Sequence, residues 1–228
     1  GETWQSEHIQ LDASDLANSI SPQISSDENG HVYVVWNNDK NGKADIYFNY
    51  STNFGTTWQA SETRLDTDTG AADSLYPQIT DDGEGHVYAV WFDGRNGSYD
   101  IYFNYSTNHG AAWQTNDIRL DTGSKGAAAS WNPQISADNK GRVYVVWYDD
   151  RNGKSDIFFN YSTNFGATWR SSDVRLDTNT AGAGRSVYPR ISSDDRGNVY
   201  VVWYDDRNGN RDIYFNSSTN NGATWRSS

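Results

Sequence analysis

Three stretches of the chain place a ring, a carboxylate and a guanidinium side by side: Phe92-Asp93-Gly94-Arg95, Tyr148-Asp149-Asp150-Arg151 and Tyr204-Asp205-Asp206-Arg207. An Asn-Gly pair follows each of them. A fourth stretch, Asn37-Asn38-Asp39-Lys40, carries a lysine in place of the arginine and lacks the ring. Together these groups supply what a sugar site needs, because Asp and Arg bond hydroxyls in pairs and a flat ring covers an apolar sugar face. The candidate ligand-binding residues are therefore Asp39, Asp93, Arg95, Asp149, Arg151, Asp205 and Arg207, with the rings of Tyr148 and Tyr204. Trp131 joins them as a large aromatic that enters a strand. The competing account is that each Asp–Arg pair ties its own loop together, and recurrence in successive copies fits that equally well.

Other chemistry is poorly supplied. No cysteine occurs, so disulfides and thiolate nucleophiles are excluded. There is no Gly-x-Ser-x-Gly elbow. His8, His31, His86 and His109 show no metal-ligand spacing, and His31 and His86 share one repeat position. Calcium is the one metal the sequence invites, through hard oxygen ligands in Asp66-Thr67-Asp68-Thr69-Gly70 and Asp177-Thr178-Asn179-Thr180. The same letters also serve simply to turn a chain. No catalytic residue is singled out.

The elements that position these groups follow from repetition. Glycines 1, 55, 110, 166 and 222 each open a Gly-x-x-Trp tetrapeptide, at intervals of 54, 55, 56 and 56 residues. Trp36, Trp91, Trp147 and Trp203 keep the same beat. Such a period marks stacked supersecondary units. In the third unit, Asn132 to Ser136 predicts a strand entered after a proline, and Val143 to Trp147 a buried β-branched and aromatic strand. Asn152-Gly153 predicts a short hairpin with both residues at positive φ. Asp156 to Tyr161 predicts a third strand and Ala167 to Leu176 a fourth. Four short antiparallel strands per unit, without helical periodicity, predict an all-β chain: a β-propeller of four four-stranded blades. The units run over 1–54, 55–109, 110–165 and 166–221, with a partial fifth at 222–228, in one domain over 1–228. Pairing of Gly1–Asp12 with the last blade is expected to close the ring and hide two sheet edges. An eight-bladed ring from two chains, or a longer array, is the alternative, so self-association is possible.

The turns between third and fourth strands read Ser51-Thr52-Asn53-Phe54-Gly55-Thr56-Thr57-Trp58, and again at 106–113, 162–169 and 218–225. They resemble the Asp-box (BNR) repeat, Ser-x-Asp-x-Gly-x-Thr-Trp, of sialidase-like β-propellers. The resemblance implies a structural role for Ser51, Asn53, Gly55, Trp58, Ser106, Asn108, Gly110, Trp113, Ser162, Asn164, Gly166, Trp169, Ser218, Asn220, Gly222 and Trp225. It places them on the face away from any active site. All four copies carry Asn where the family has Asp, and Asn still bonds turn backbone. Asn49, Asn104, Asn160 and Asn216 open Asn-x-Ser sequons whose fixed place in the repeat points to the fold and away from glycosylation.

The resemblance also implies a catalytic set of three arginines, a tyrosine activated by a glutamate and an acid/base aspartate. No Arg-Ile-Pro motif occurs here, and the glutamates are confined to positions 2, 7, 28, 62 and 84. The net charge of −12, from 30 acidic and 18 basic residues, argues against nucleic acid and anionic membranes. No apolar run approaches a membrane span, and with no methionine Gly1 is expected to be a processed or trimmed end. The sequence thus points to an extracellular or cell-surface, non-catalytic recognition module for glycans that requires no cofactor. A sialidase-like hydrolase and a structural or assembly module are the alternatives.

Overall fold

The β-branched and aromatic runs form the strands their composition predicts. The computed structural model describes residues 7–13, 16–68, 70 and 72–226, and every regular element is a β-strand. Blade 1 consists of β1 (Ser19–Ser26), β2 (Val32–Asn38), β3 (Asp45–Ser51) and β4 (Thr63–Arg64). Blade 2 consists of β5 (Ser74–Asp81), β6 (Val87–Asp93), β7 (Asp100–Ser106) and β8 (Ile118–Arg119). Blade 3 follows as β9 (Ser130–Ala137), β10 (Val143–Asp149), β11 (Asp156–Ser162) and β12 (Val174–Arg175). Blade 4 contributes β13 (Ser186–Ser193), β14 (Val199–Asp205) and β15 (Asp212–Ser218). Each sheet is an antiparallel meander in chain order, four strands in blades 1 to 3 and three in blade 4. The chain is a β-propeller whose innermost strands pack in sequence, β1 on β5, β5 on β9 and β9 on β13.

Three local expectations are revised. The predicted fourth strand over 167–176 shrinks to Val174–Arg175, because most of the run stays in the box turn. The Asn-Gly loop is a longer connection closed by a Gly153 N–H to Asp150 carbonyl bond, and only the glycine takes positive φ. Asn152 does not, since Asp150 to Gly153 forms a turn with glycine in its last position. The expected pairing of Gly1–Asp12 with the last blade falls partly outside the described residues, at 1–6. Residues 7–12 make no ladder with β15.

The core lies between blades. Val90, Phe92, Ile101 and Phe103 of blade 2 form one cluster with Val143, Val145, Trp147 and Phe158 of blade 3. The box tryptophans close these seams: Trp113 meets Phe48 edge-on at 5.0 Å, Trp169 meets Phe103 at 4.9 Å and Trp225 meets Phe159 at 4.8 Å. Gly110, Gly166 and Gly222 stand against the same phenylalanines, at positive φ and with no room for a Cβ.

The boxes are turn scaffolds, as the resemblance implies. Ser51 Oγ donates to Asn53 Oδ1 at 3.0 Å, while the N–H groups of Gly55 and Thr57 donate to Ser51 Oγ and Asn53 Oδ1. The other three boxes repeat the pattern. The sequon asparagines are buried; the Nδ2 groups of Asn104, Asn160 and Asn216 donate to Leu65, Leu120 and Leu176 carbonyls of the preceding blade.

Candidate functional site

The Asp–Arg pairs at the Asn-Gly end are drawn inward. Arg95 Nη2 bonds Asp93 at 2.6 Å and Asp117, from the approach to β8, at 2.7 Å. Its guanidinium lies 4.1 Å from the centre of the Tyr102 ring. Arg151 repeats this with Asp149, Asp173 and Phe158, and Arg207 with Asp205 and Tyr214. Asp93, Asp149 and Asp205 are buried and accept a further bond from Ser74, Ser130 and Ser186 Oγ. Burial works against the Arg95 charge, but bonds and attraction from Asp93 and Asp117 outweigh it and hold its pKa above the ordinary value. Burial likewise opposes ionisation of Asp205, yet the bonds from Arg207 and Ser186 pull it down to about 2.

In blade 1 the strand position of Asp93 belongs to Asn38, which pairs with Ser19 as Asp93 pairs with Ser74. Asp39 sits one residue later and accepts from the Asn18 N–H and side chain. Asp39 is thus the counterpart of Asp206, which accepts the Arg185 N–H in the same way.

A second carboxylate set recurs behind these loops. Arg64 Nη2 reaches Asp45, Asp66 and Asp68 at 2.8, 2.7 and 2.5 Å, and the carboxylates converge closely enough to hold an ion. The guanidinium occupies that position, so the suggested calcium loop Asp66–Gly70 is neutralised from within. Arg175 treats Asp156, Asp177 and Asn179 the same way in blade 3. Burial, opposed by bonds from Arg64 and the Ile46 N–H, pushes the Asp66 pKa up to about 6. At the opposite, box-side end, Asp27, Asp82 and Asp138 line a cavity of about 720 Å³, but each caps its own turn through backbone N–H groups.

The surface left open at the Asn-Gly end is aromatic. In every innermost strand a residue before proline takes positive φ: Ser21 at 57°, Tyr76 at 52°, Asn132 at 47° and Tyr188 at 53°. The strand register slips at these points, forming a bulge that re-aims one side chain. Tyr76 and Tyr188 emerge 52% and 46% exposed, which makes them platforms where most rings of this fold are buried. Tyr76 stacks on Phe92 at 5.4 Å, and Phe92 meets Trp131 at 5.2 Å and Tyr99 at 4.9 Å. Tyr188 stacks on Tyr204 at 5.3 Å and meets Tyr148 at 5.8 Å. The Tyr148 hydroxyl is pushed up to about 12 by burial and by Tyr188.

The structure thus brings Tyr148 and Tyr204 together, around a tyrosine that the Asp–Arg pattern did not mark. Trp131 sits one position earlier in its strand than Tyr76 and Tyr188 do, pairing with Tyr148 as Leu75 pairs with Phe92. It lines an open cleft of about 450 Å³ with Tyr99, Lys43 and Asp73. The available signal for the platforms was the proline: all four prolines of the chain follow these bulge residues.

A propeller with BNR-type boxes is therefore the class to which fold and site belong. The chain matches the BNR repeat-containing family over residues 1–226 and is a member of it. No curated protein shows significant sequence similarity to it. Among solved structures it resembles a Penicillium chrysogenum α-L-arabinanase complexed with arabinobiose, at 17% identity and a TM-score of 0.65, over 91% of this chain and 66% of that one. It also resembles the GH93 α-L-arabinofuranosidase of Fusarium graminearum, at 15% identity and a TM-score of 0.64, over 89% and 63%. A leech intramolecular trans-sialidase matches at 15% identity and a TM-score of 0.63, over 99% and 53%. The chain thus spans roughly half to two thirds of these proteins' lengths, and identities this low speak to fold alone.

Proposed function

We propose that this chain is a non-catalytic carbohydrate-recognition module acting outside the cell. Its sites lie on the aromatic band of the Asn-Gly face, not on the Asp–Arg pairs. The carrying observation is the pair of half-exposed tyrosines, Tyr76 and Tyr188, each held by a strained bulge and backed by a stacked ring. A rigid, pre-placed ring meets a sugar face at little entropic cost. Trp131, Tyr148 and Tyr204 extend the platforms, and Lys43 and Asp73 offer polar partners at the first cleft. The Asp–Arg pairs act behind this surface by fixing the loops. Two similar platforms on one chain favour a repeated glycan, bound through avidity.

The neighbours in complex with arabinobiose make a pentose polymer the first ligand to try. The test is a glycan array with wild type, Tyr76→Ala and Tyr188→Ala, with and without calcium. Selective binding that falls at least tenfold in either variant supports the reading; a blank array overturns it. A hydrolase is the second reading, favoured by the glycosidases among the structural neighbours. Its test is turnover of chromogenic arabinosides and sialosides.

A further inference from the structure

At the box-side end, each seam between blades carries one further pair of residues, and the repeat fills that pair differently each time. The first member precedes the second strand and bonds the aspartate of its own turn. His31 and His86 Nδ1 lie 2.6 Å from Asp27 and Asp82, Arg142 Nε bonds Asp138, and Asn198 Nδ2 donates to Asp194 at 2.7 Å. The second member is the residue before the box glycine of the next blade. His86 stacks on Phe165 at 4.4 Å, and Arg142 Nη1 donates to Asn221 Oδ1 at 2.6 Å. At the first seam both members are histidines, His31 stacking on His109 at 4.1 Å. The backbone is the same in each box, with φ of 57° at His109, 58° at Phe165 and 61° at Asn221. The turn therefore accepts an imidazole, a phenyl ring or an amide, and architecture does not ask for the second histidine.

The first seam alone sets two imidazoles beside a carboxylate. One nitrogen from each ring and one Asp27 oxygen lie within 4.8 Å of one another. Asp27 is held for the purpose: its Oδ1 accepts the N–H groups of Asn29 and His31, each at 2.9 Å. Burial opposes its ionisation, but bonds from the His31 backbone and ring outweigh that and keep its pKa below the ordinary value. The Tyr33 hydroxyl meets His109 Nδ1 at 3.2 Å and fixes the second ring. Burial raises the pKa of that hydroxyl, and the charges of Asp27, Asp81 and Asp82 raise it further. The field that resists a phenolate here is negative, so it favours a cation. Asp27 also lines the box-side cavity with Glu28 and Asp82, which gives an ion an acidic way in.

We propose that Asp27, His31 and His109 bind a divalent transition ion of the zinc class across the seam between blades 1 and 2. Imidazole nitrogens with one carboxylate suit such an ion, and three protein ligands leave a fourth position to water. The rings lie 19° from parallel, so ligation turns them about χ2 until their in-plane lone pairs converge. The His31 proton shared with Asp27 moves to Nε2, which leaves Nδ1 to bind. The site lies at the opposite end of the blades from the aromatic platforms and is independent of glycan recognition. Chain separation hid it, because the two histidines belong to different blades.

The experiment titrates the full chain, stripped of metal, with zinc chloride. Binding is read by competition with a chromophoric chelator and by melting temperature. Wild type should bind one equivalent, and its melting temperature should rise by about 5–10 °C at zinc a hundredfold above its Kd. His109→Phe and His31→Asn install what the repeat already uses at Phe165 and Asn198. Each should bind zinc at least tenfold more weakly, yet melt within a few degrees of wild type without zinc. His109→Asn, as at Asn221, replaces His109→Phe if that variant unfolds. His86→Asn, at the seam whose partner ring is Phe165, should bind as wild type does. Three results each overturn the proposal: no one-to-one complex, equal binding by wild type and the His109 variant, or displacement of zinc by equimolar calcium. The last would assign the ion to the oxygen donors of the cavity.

Discussion

Gly166→Ala and Gly55→Ala make the same chemical change in the same turn, yet the structure assigns them different costs. Both glycines have positive φ, 81° and 76°, so an alanine at either pays the left-handed strain of about 1–2 kcal/mol. A Cβ on Gly166 would also lie 2.7 Å from Phe103 Cζ, deep in the seam between blades 2 and 3. Phe103 is fully buried, so its ring cannot retreat into solvent. Forcing a methyl into such packing adds about 1–3 kcal/mol. A Cβ on Gly55 meets nothing nearer than Trp58 at 3.9 Å. Gly166→Ala should therefore cost about 2–5 kcal/mol and Gly55→Ala about 1–2 kcal/mol, in a monomer. Denaturant titration at low micromolar protein gives both numbers. Equal losses would refute the claim that the box glycine serves the seam, and would reduce it to a turn residue. Gly110→Ala and Gly222→Ala, facing Phe48 and Phe159, should follow Gly166→Ala.

Asp66→Asn tests the buried carboxylates through pH. The folded pKa of Asp66, about 6, lies above the unfolded value of about 3.9, so its contribution to stability is complete below pH 4 and lost as pH rises through 6. Asparagine keeps an oxygen for the Ile46 N–H, so the variant should gain on wild type by about 2–3 kcal/mol between pH 4 and pH 7; a difference that does not change with pH in melting curves contradicts this. Arg95→Ala strands Asp93 and Asp117 with no cation and should destabilise by about 3–5 kcal/mol, read by denaturant titration. Its folded fraction should retain wild-type glycan affinity, which separates a loop tie from a ligand contact. Tyr188→Ala should reduce glycan binding at least tenfold, whereas Tyr188→Phe, which keeps the ring, should lose less than threefold by calorimetry.

The repeat was legible because identical letters at a fixed period can be read without knowing any contact. The blades, the box turns and the identity of the face that carries the Asn-Gly loops all follow from it. What escaped was nonlocal or differed by one residue. Asp117 and Asp173, which complete the Arg95 and Arg151 clamps, lie 22 residues from their partners on another strand approach, and nothing in their spacing marks them. Asp39, the one acid of its loop, stands at the place of Asp150 and Asp206, and only the register with Ser19 shows that Asn38 fills the buried position. The bulges escaped too. A residue before proline reads as extended backbone, and positive φ there arises from the slip between two strands.

Symmetry gives the Asp–Arg loop ties an architectural reading. A residue kept in every blade performs what every blade needs, which is to fold its turn and meet its neighbour. Arg95, Arg151 and Arg207, with Lys40 at their place in blade 1, meet that requirement: the N–H donors bond carboxylates while the cation covers a ring. Function is better sought where equivalent positions diverge on an open surface. The bulge offers serine, tyrosine, asparagine and tyrosine in the four blades, under the same backbone strain. The strain is therefore architectural, while the rings of Tyr76 and Tyr188 are not required by it. Exchanging Tyr76 for Ser, as at Ser21, should leave the fold's melting temperature within a few degrees of wild type, because the bulge already tolerates serine. If glycan binding falls in that variant while stability holds, recognition has been separated from architecture at one side chain; a large loss of stability would return Tyr76 to the core and remove the ground for the proposed site.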